Sequence, residues 1–157
     1  MKKLVIVFAG ALILSSCATR TSFNSFYKEH RHKAAVTVST PSFIANMLIP
    51  KDEVNDYEEL FTKVRHYRVM IFSEPDQSLN QSFDRFIRRN SYDEIFRVNS
   101  KGNNVSFYFL KQDELINEMI MRVADGDSYI LLGLKTKLNE QEFNAIVASS
   151  EVEVTAR

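Results

Sequence analysis

From Tyr92 onward the apolar residues recur at every second position, in four short runs broken by turn residues at close intervals. Period two gives a single apolar face only on an extended strand, and strands joined by short turns pair antiparallel. The spacing predicts strands over about 92–98, 104–110, 115–123 and 128–135. Turns fall around Gly102-Asn103-Asn104, at Gln112-Asp113 and at Asp125-Gly126. The last is a strong two-residue hairpin signal, because Asp and Gly tolerate positive φ. In the second run Val105, Phe107 and Phe109 alternate with Asn104, Ser106 and Tyr108, so the apolar set is expected to face a core.

Upstream of Tyr92 the spacing is mostly helical. Val36-Thr37-Val38 reads as a short strand from its β-branched content. Thr40 as N-cap and Pro41 at the first helical position then open a short helix with Phe43, Ile44, Met47 and Leu48 as its buried stripe, ended by Pro50. A second helix is expected from Asp56, with Tyr57, Leu60, Phe61 and Val64 on one face. The strand Tyr67–Phe72 follows; Glu74-Pro75-Asp76 ends it, and Leu79, Phe83, Phe86 and Ile87 mark a third helix. Past the meander, Asn139 and Glu142 form a capping-box pattern, Leu138 and Phe143 a hydrophobic staple, and Phe143, Ile146 and Val147 the inward face of a last helix. This order predicts an α+β fold: a two-layer domain with a largely antiparallel sheet, a C-terminal four-strand meander and helices packed on one face.

The N-terminus carries a different signal. Met1-Lys2-Lys3 is a short positive stretch, followed by an apolar run from Leu4 to Leu14 that turns polar at Ser15, Ser16, Thr19 and Arg20. That run is too short for a transmembrane helix, which needs about 20 apolar residues, and suits the core of a signal peptide. Leu14-Ser15-Ser16-Cys17 resembles the lipobox of bacterial lipoprotein precursors. The resemblance implies cleavage before Cys17, a diacylglyceryl group on its sulfur and a further acyl chain on its amine. Two or three chains hold a protein on a bilayer stably where one holds it marginally. The expected division is a signal peptide over 1–16, a lipidated N-terminus and tether over 17–33, a single α+β domain over 34–149 and a frayed tail over 150–157. Phe23, Phe26 and Tyr27 are the tether residues suited to docking on the domain. No acidic residue follows Cys17 within Ala18-Thr19-Arg20-Thr21-Ser22, which by resemblance favours the outer membrane facing the periplasm.

Removing residues 1–16 leaves 141 of the 157, the size of one domain. Twelve Phe and no Trp supply core volume without a polar atom to satisfy. Lys and Arg total 20 against 20 Asp and Glu, or 18 against 20 once Lys2 and Lys3 leave with the leader. Without a basic excess there is no counterion release to drive nucleic-acid binding, and that class is set aside. Cys17 is the sole cysteine, so no intramolecular disulfide can form.

No catalytic constellation emerges. Glu29, His30 and His32 lie in the expected tether, and His66 falls at an expected helix end, where it suits the terminal carbonyls. Glu58-Glu59, Asp93-Glu94 and Asp113-Glu114 are neighbours whose side chains diverge, and read as solvated faces or turn charges. Glu118 lies mid-strand, where alternation is expected to place it with Arg122 on a solvent face. Ser149-Ser150 and the other serines lack a nucleophile motif, and four Gly form no phosphate loop. No catalytic, metal or cofactor residue is assigned, and an enzyme is not expected.

The mature chain contains Phe26-Tyr27-Lys28-Glu29, Val36-Thr37-Val38-Ser39, Ser91-Tyr92-Asp93-Glu94-Ile95 and Val105-Ser106-Phe107-Tyr108-Phe109, then Ile116-Asn117-Glu118-Met119-Ile120 running into Tyr129-Ile130-Leu131-Leu132-Gly133-Leu134. On these patterns it resembles the domain of unknown function 4252 family, small lipoproteins found mainly in Bacteroidota. The resemblance implies compartment and fold, with envelope signalling as a further suggestion, and supplies no catalytic residue.

The functional expectation is a lipid-anchored, non-enzymatic binding or accessory module, with membrane lipid contacted through acylated Cys17 and an envelope protein as partner. The alternative is a carrier or sensor of a small apolar ligand held between helices and sheet. Cys17→Ser should abolish metabolic labelling with a fatty acid and leave a precursor of higher mass; labelling that survives the substitution overturns the lipidation assignment.

Overall fold

The structure, a computed structural model, describes residues 22–48, 62–73, 77–100 and 103–145. The elements in chain order begin with helix α1 (Phe23–His30), a 3₁₀ turn (Arg31–Lys33), strand β1 (Val36–Pro41) and helix α2 (Ser42–Leu48). Strand β2 (His66–Ser73) and helix α3 (Gln77–Arg89) follow. The meander is β3 (Asp93–Ser100), β4 (Asn103–Gln112), β5 (Leu115–Asp125) and β6 (Ser128–Asn139), and residues 140–145 form a last helical segment, α4.

The six strands make one sheet in the order β1-β2-β6-β5-β4-β3, with every neighbouring pair antiparallel. The meander anticipated from period two is therefore present, and its end strand β6 carries the earlier β2 and β1 on its free side. The β4–β5 and β5–β6 turns each sit one residue later than expected, at 113–114 and 126–127. Asp113 and Glu114 take positive φ of 51° and 61°, the pair of left-handed residues that a tight hairpin requires. Gly126 fills the corresponding position in the β5–β6 turn, at φ 27°.

Helix α3 behaves as its spacing predicts: Leu79, Phe83, Phe86 and Ile87 are buried and enter one cluster with Met70, Phe72, Tyr108, Ile120, Tyr129 and Leu131 of the sheet. The segment expected as a tether is different. Residues 23–30 are helical, and Phe23, Phe26, Tyr27 and His30 are buried at spacings of three, one and three. Packing on α3 stabilises this two-turn helix, which is too short to be stable alone. Phe26 stands edge-on to Phe83 at 5.6 Å and tilted to Phe86 at 5.1 Å between ring centroids. The packed domain thus begins by Phe23, not at residue 34.

Beneath α1, β6 has no side chain at Gly133. A Cβ there would lie 2.1 Å from the Phe23 ring, so the aromatic occupies the volume that any other residue would need. The glycine sets how closely helix and sheet approach.

Two further expectations are corrected at β1 and at the C-terminus. Thr40 and Pro41 close β1 instead of opening a helix; Pro41 pairs with His66 on an edge strand, where a missing N–H is tolerated, and the α2 residues expected to be buried, Phe43, Ile44 and Met47, are exposed. Phe143 of α4 packs with Phe109, Leu134 and the buried Ile116, Met119 and Leu138. By strand alternation, with the β5 bulge between Ile116 and Glu118 turning Ile116 over, that set lies on the side of the sheet away from Tyr108, Ile120 and Leu131, so the helices do not all share one face. The capping box itself is formed: Asn139 N–H donates to Glu142 Oε2 and Glu142 N–H donates to Asn139 Oδ1, both at 2.8 Å. Lys63 adds an ion pair at 2.5 Å, and these contacts hold the Glu142 carboxyl below its usual range. Residues 62–63 are helical and Val64 is buried, whereas Tyr57, Leu60, Phe61, Ile146 and Val147 lie outside the described residues.

Gly133→Ala should lower stability by about 1–3 kcal/mol, the usual cost of overpacking a filled core. Thermal unfolding checks it, and Phe23→Leu in the same chain should recover part of the loss. A neutral Gly133→Ala would show that the ring does not depend on that space.

Candidate functional site

The reverse of the sheet, the side away from the Phe83 cluster, is apolar over its whole width. The register aligns Val36, Ile71, Ile130, Val123, Val105 and Val98 in one row across all six strands. Two residues along, Val38, Val69, Leu132, Met121, Phe107 and Phe96 make a second unbroken row. At the two edges Val36, Val38, Phe96 and Val98 are between 45% and 51% exposed, and the central eight are half-buried. Phe96 and Phe107 stack at 4.7 Å. With strands about 4.8 Å apart and rows about 7 Å apart, the surface measures roughly 25 by 14 Å, about 350 Å². Apolar patches of about 300–600 Å² are the largest found on typical monomers and are often functional.

A polar row bounds this surface at one end: Ser73, Ser128, Asp125 and Asn103 follow one another across four strands. At the other end it runs into the Met119–Leu138 cluster beneath Phe143. An apolar centre with a polar border is the anatomy of a protein interface.

The sequence reading reversed the two sides of β4. Ser106, Tyr108 and Leu110 are the buried set, while Val105 and Phe107 lie on the open side and Phe109 packs beneath Phe143. Alternation alone could not decide, because Tyr108 and Leu110 are as able to fill a core as the valine and phenylalanines opposite. Register across six strands exposes the rows, and no single strand displays them.

The same reversal corrects Glu118 and Arg122, which are buried and not on a solvent face. Both lie on the side of β5 covered by α1 and α3, where charge survives only if partnered. Glu118 Oε2 accepts the Phe23 backbone N–H at 2.8 Å and a short hydrogen bond from the Tyr92 hydroxyl. It supplies the first turn of α1 with the acceptor that Ser22 does not, since the Ser22 side chain makes no capping bond. Burial, and then the charge and hydrogen bond of Glu118, drive the Tyr92 phenol far above its ordinary pKa, so it remains a donor. Arg122 donates to Asp84 Oδ1 at 2.9 Å and to Ser106 Oγ at 3.3 Å, with the Phe83 and Tyr108 rings each 5.7 Å from its guanidinium carbon. Among the described residues its Nε and the Tyr129 hydroxyl are buried without a hydrogen-bond partner. Burial raises the Tyr129 pKa, opposed by the nearby Arg122 charge. Glu118 and Arg122 are thus tied into the fold, the carboxylate through Oε2 and the guanidinium through its two terminal nitrogens.

The remaining candidates separate. His30 is buried, stacked on Phe26 at 4.1 Å with Nδ1 3.1 Å from the Phe26 carbonyl, whereas His32 and Glu29 are exposed. His66 begins β2 and meets Ser39 Oγ at 2.9 Å; burial, then Arg68 and Lys135, lower its pKa. Asp93 and Glu94 are exposed, with Glu94 paired to Arg97 at 2.6 Å, and Glu114 pairs with Lys111 at 3.2 Å in its turn. Among the described residues no group of three or more His, Cys, Asp or Glu could hold a metal ion. Cys17, Glu58, Glu59, Ser149 and Ser150 lie outside the described residues.

Comparison with known families matches residues 27–146 to the domain of unknown function DUF4252. The chain belongs to the DUF4252 family. The match covers every strand described above and gives the fold a lineage without a chemistry. No curated protein and no solved structure matches the chain.

Glu118→Gln and Tyr92→Phe should each cost about 1.5–3 kcal/mol, the range for hydrogen bonds to a charged group. Urea unfolding of both single variants and the double should give strongly non-additive losses. Additive losses would separate the two residues energetically.

Proposed function

We propose that this DUF4252 protein is a lipid-anchored component of the bacterial cell envelope, held through acylated Cys17 at the outer membrane facing the periplasm. It acts by binding another envelope protein on the open side of its sheet. In this reading α1 and α3 form one helical layer that fills the core side, and the twelve apolar residues of the two rows are left for the partner. The observation that carries the reading is the continuity of those rows across all six strands, bordered by Ser73, Ser128, Asp125 and Asn103. A partner presenting an amphipathic element with its own polar margin matches that anatomy. A link to envelope signalling fits a binding module of this kind.

The anchor supports the reading from the sequence side: a lipobox-like Leu14-Ser15-Ser16-Cys17 follows an apolar leader. No helix among the described residues is long and apolar enough to cross a membrane. The carrier alternative would need space among the core aromatics. Those rings instead contact one another, with Phe83 5.8 Å from Tyr108 and Phe86 5.3 Å from Tyr92, the spacing of a filled core.

A photo-crosslinking residue placed at Met121 or Val123 in the full-length protein should capture one discrete protein in intact cells. The same residue at Arg85, exposed on α3, should not, and Phe107→Glu should remove the adduct while thermal unfolding stays cooperative. Equal capture from both sides, capture of lipid alone or an adduct of twice the chain mass would each overturn the heterologous partner.

A further inference from the structure

Helix α2 presents a second apolar surface, separate from the sheet rows. Its sequence, Ser42 to Leu48, contains no charged residue, and Phe43, Ile44 and Met47 are exposed by 67%, 42% and 81%. Spacings of one and three place these side chains on one stripe of the helix. Water is a poor environment for such a stripe, and what covers it can be read from where the chain leads.

The register row Pro41, His66, Lys135, Glu118 runs across four neighbouring strands. Three strand spacings of about 4.8 Å put the start of α2 about 15 Å from the Glu118 position. Glu118 holds the N–H of Phe23 at 2.8 Å, so the N-terminal chain leaves the domain at this same end of the sheet. Six residue steps separate Phe23 from Cys17, and whatever path they take their reach is at most about 22 Å. The Gly126 turn lies eight residues along β5 from Glu118, about 26 Å toward the opposite end. Cys17 can therefore reach as far as α2, whereas the Gly126 turn lies beyond the span of these six steps.

We propose that Phe43, Ile44 and Met47 of α2 enter the interfacial region of the same bilayer and form a second membrane contact beside the lipid anchor. This rests on the reading that Cys17 is acylated. Interfacial helices bury their apolar side about 5–10 Å into the boundary between headgroups and acyl chains, a depth that large side chains on a surface helix can reach. A short tether makes this binding intramolecular, so a stripe too small to hold a free protein on lipid is sufficient once the acyl chains are inserted. The contact would orient the domain, with the sheet end carrying α2 toward the membrane and the turn at Gly126 away from it.

The test uses the full-length acylated protein in vesicles of phosphatidylethanolamine and phosphatidylglycerol. Cys17 is the chain's sole cysteine and is consumed by acylation, so Phe43→Cys, Met47→Cys or Asp127→Cys each gives one site for an environment-sensitive fluorophore. Positions 43 and 47 should shift to shorter emission wavelength and lose about half their intensity to lipids quencher-labelled near the headgroup, as an interfacial depth requires. Position 127 should remain water-like. Labels at 43 and 47 that are as water-exposed as the one at 127, on protein shown by mass to be acylated and vesicle-bound, overturn the α2 contact and leave the anchor standing. Protection at 43 and 47 in native membranes but not in the pure lipid vesicles overturns it in favour of a protein cover. Protein that carries no acyl mass and stays off the vesicles overturns the anchor, and with it this contact. Two α2 positions are used so that a folding defect from replacing Phe43 does not decide the outcome.

Discussion

A single buried carboxylate ties the start of the domain to its middle. Glu118 stands on β5, one of the two central strands of the six, and holds both the first N–H of α1 and the hydroxyl of Tyr92, which follows α3. Three separate stretches of sequence are thereby fixed at one point. The carboxylate is affordable there because its charge meets a helix N-terminus and a phenolic donor in place of water. Phe23, set by that bond, then closes over Gly133 and brings Phe26 onto α3. The aromatic core on this side of the sheet is assembled around a polar contact.

The elements that depend on local pattern were legible in the sequence. The strands of the meander, the stripe of α3 and the Asn139–Glu142 capping box each follow from residues within a few positions of one another. What depended on distant partners was not. Eight residues of α1 carry too little helical signal to stand apart from a polar tether, and only α3 makes them helical. Glu118 read as solvent-exposed because a carboxylate in a strand usually is, and its partners lie 95 and 26 residues away. Pro41 looked like a helix start because nothing in its neighbours says that β1 is an edge.

The least legible feature was the candidate site. Each strand offers apolar residues to both sides, so β4 alone could be turned either way. Registers decide it: Ser106 under Arg122 and Tyr108 beside Phe83 are possible only if Val105 and Phe107 face outward. A surface made of twelve residues from six strands is a property of pairing. Glu118 and Arg122 reinforce the choice, since flipping β5 by one residue would expose Ile120 and bury neither charge with its partner.

The attachment at Glu118 also determines how the domain would carry a mechanical load. A pull on the N-terminal chain arrives at Phe23 and passes through its hydrogen bond and ring into β5 and β6, which are bonded on both sides. Such strands cannot be peeled one bond at a time as an edge strand can; they have to slide against two ladders together. The edge strand β1, which follows α1 in the chain, takes that load only once the Phe23 attachment has yielded.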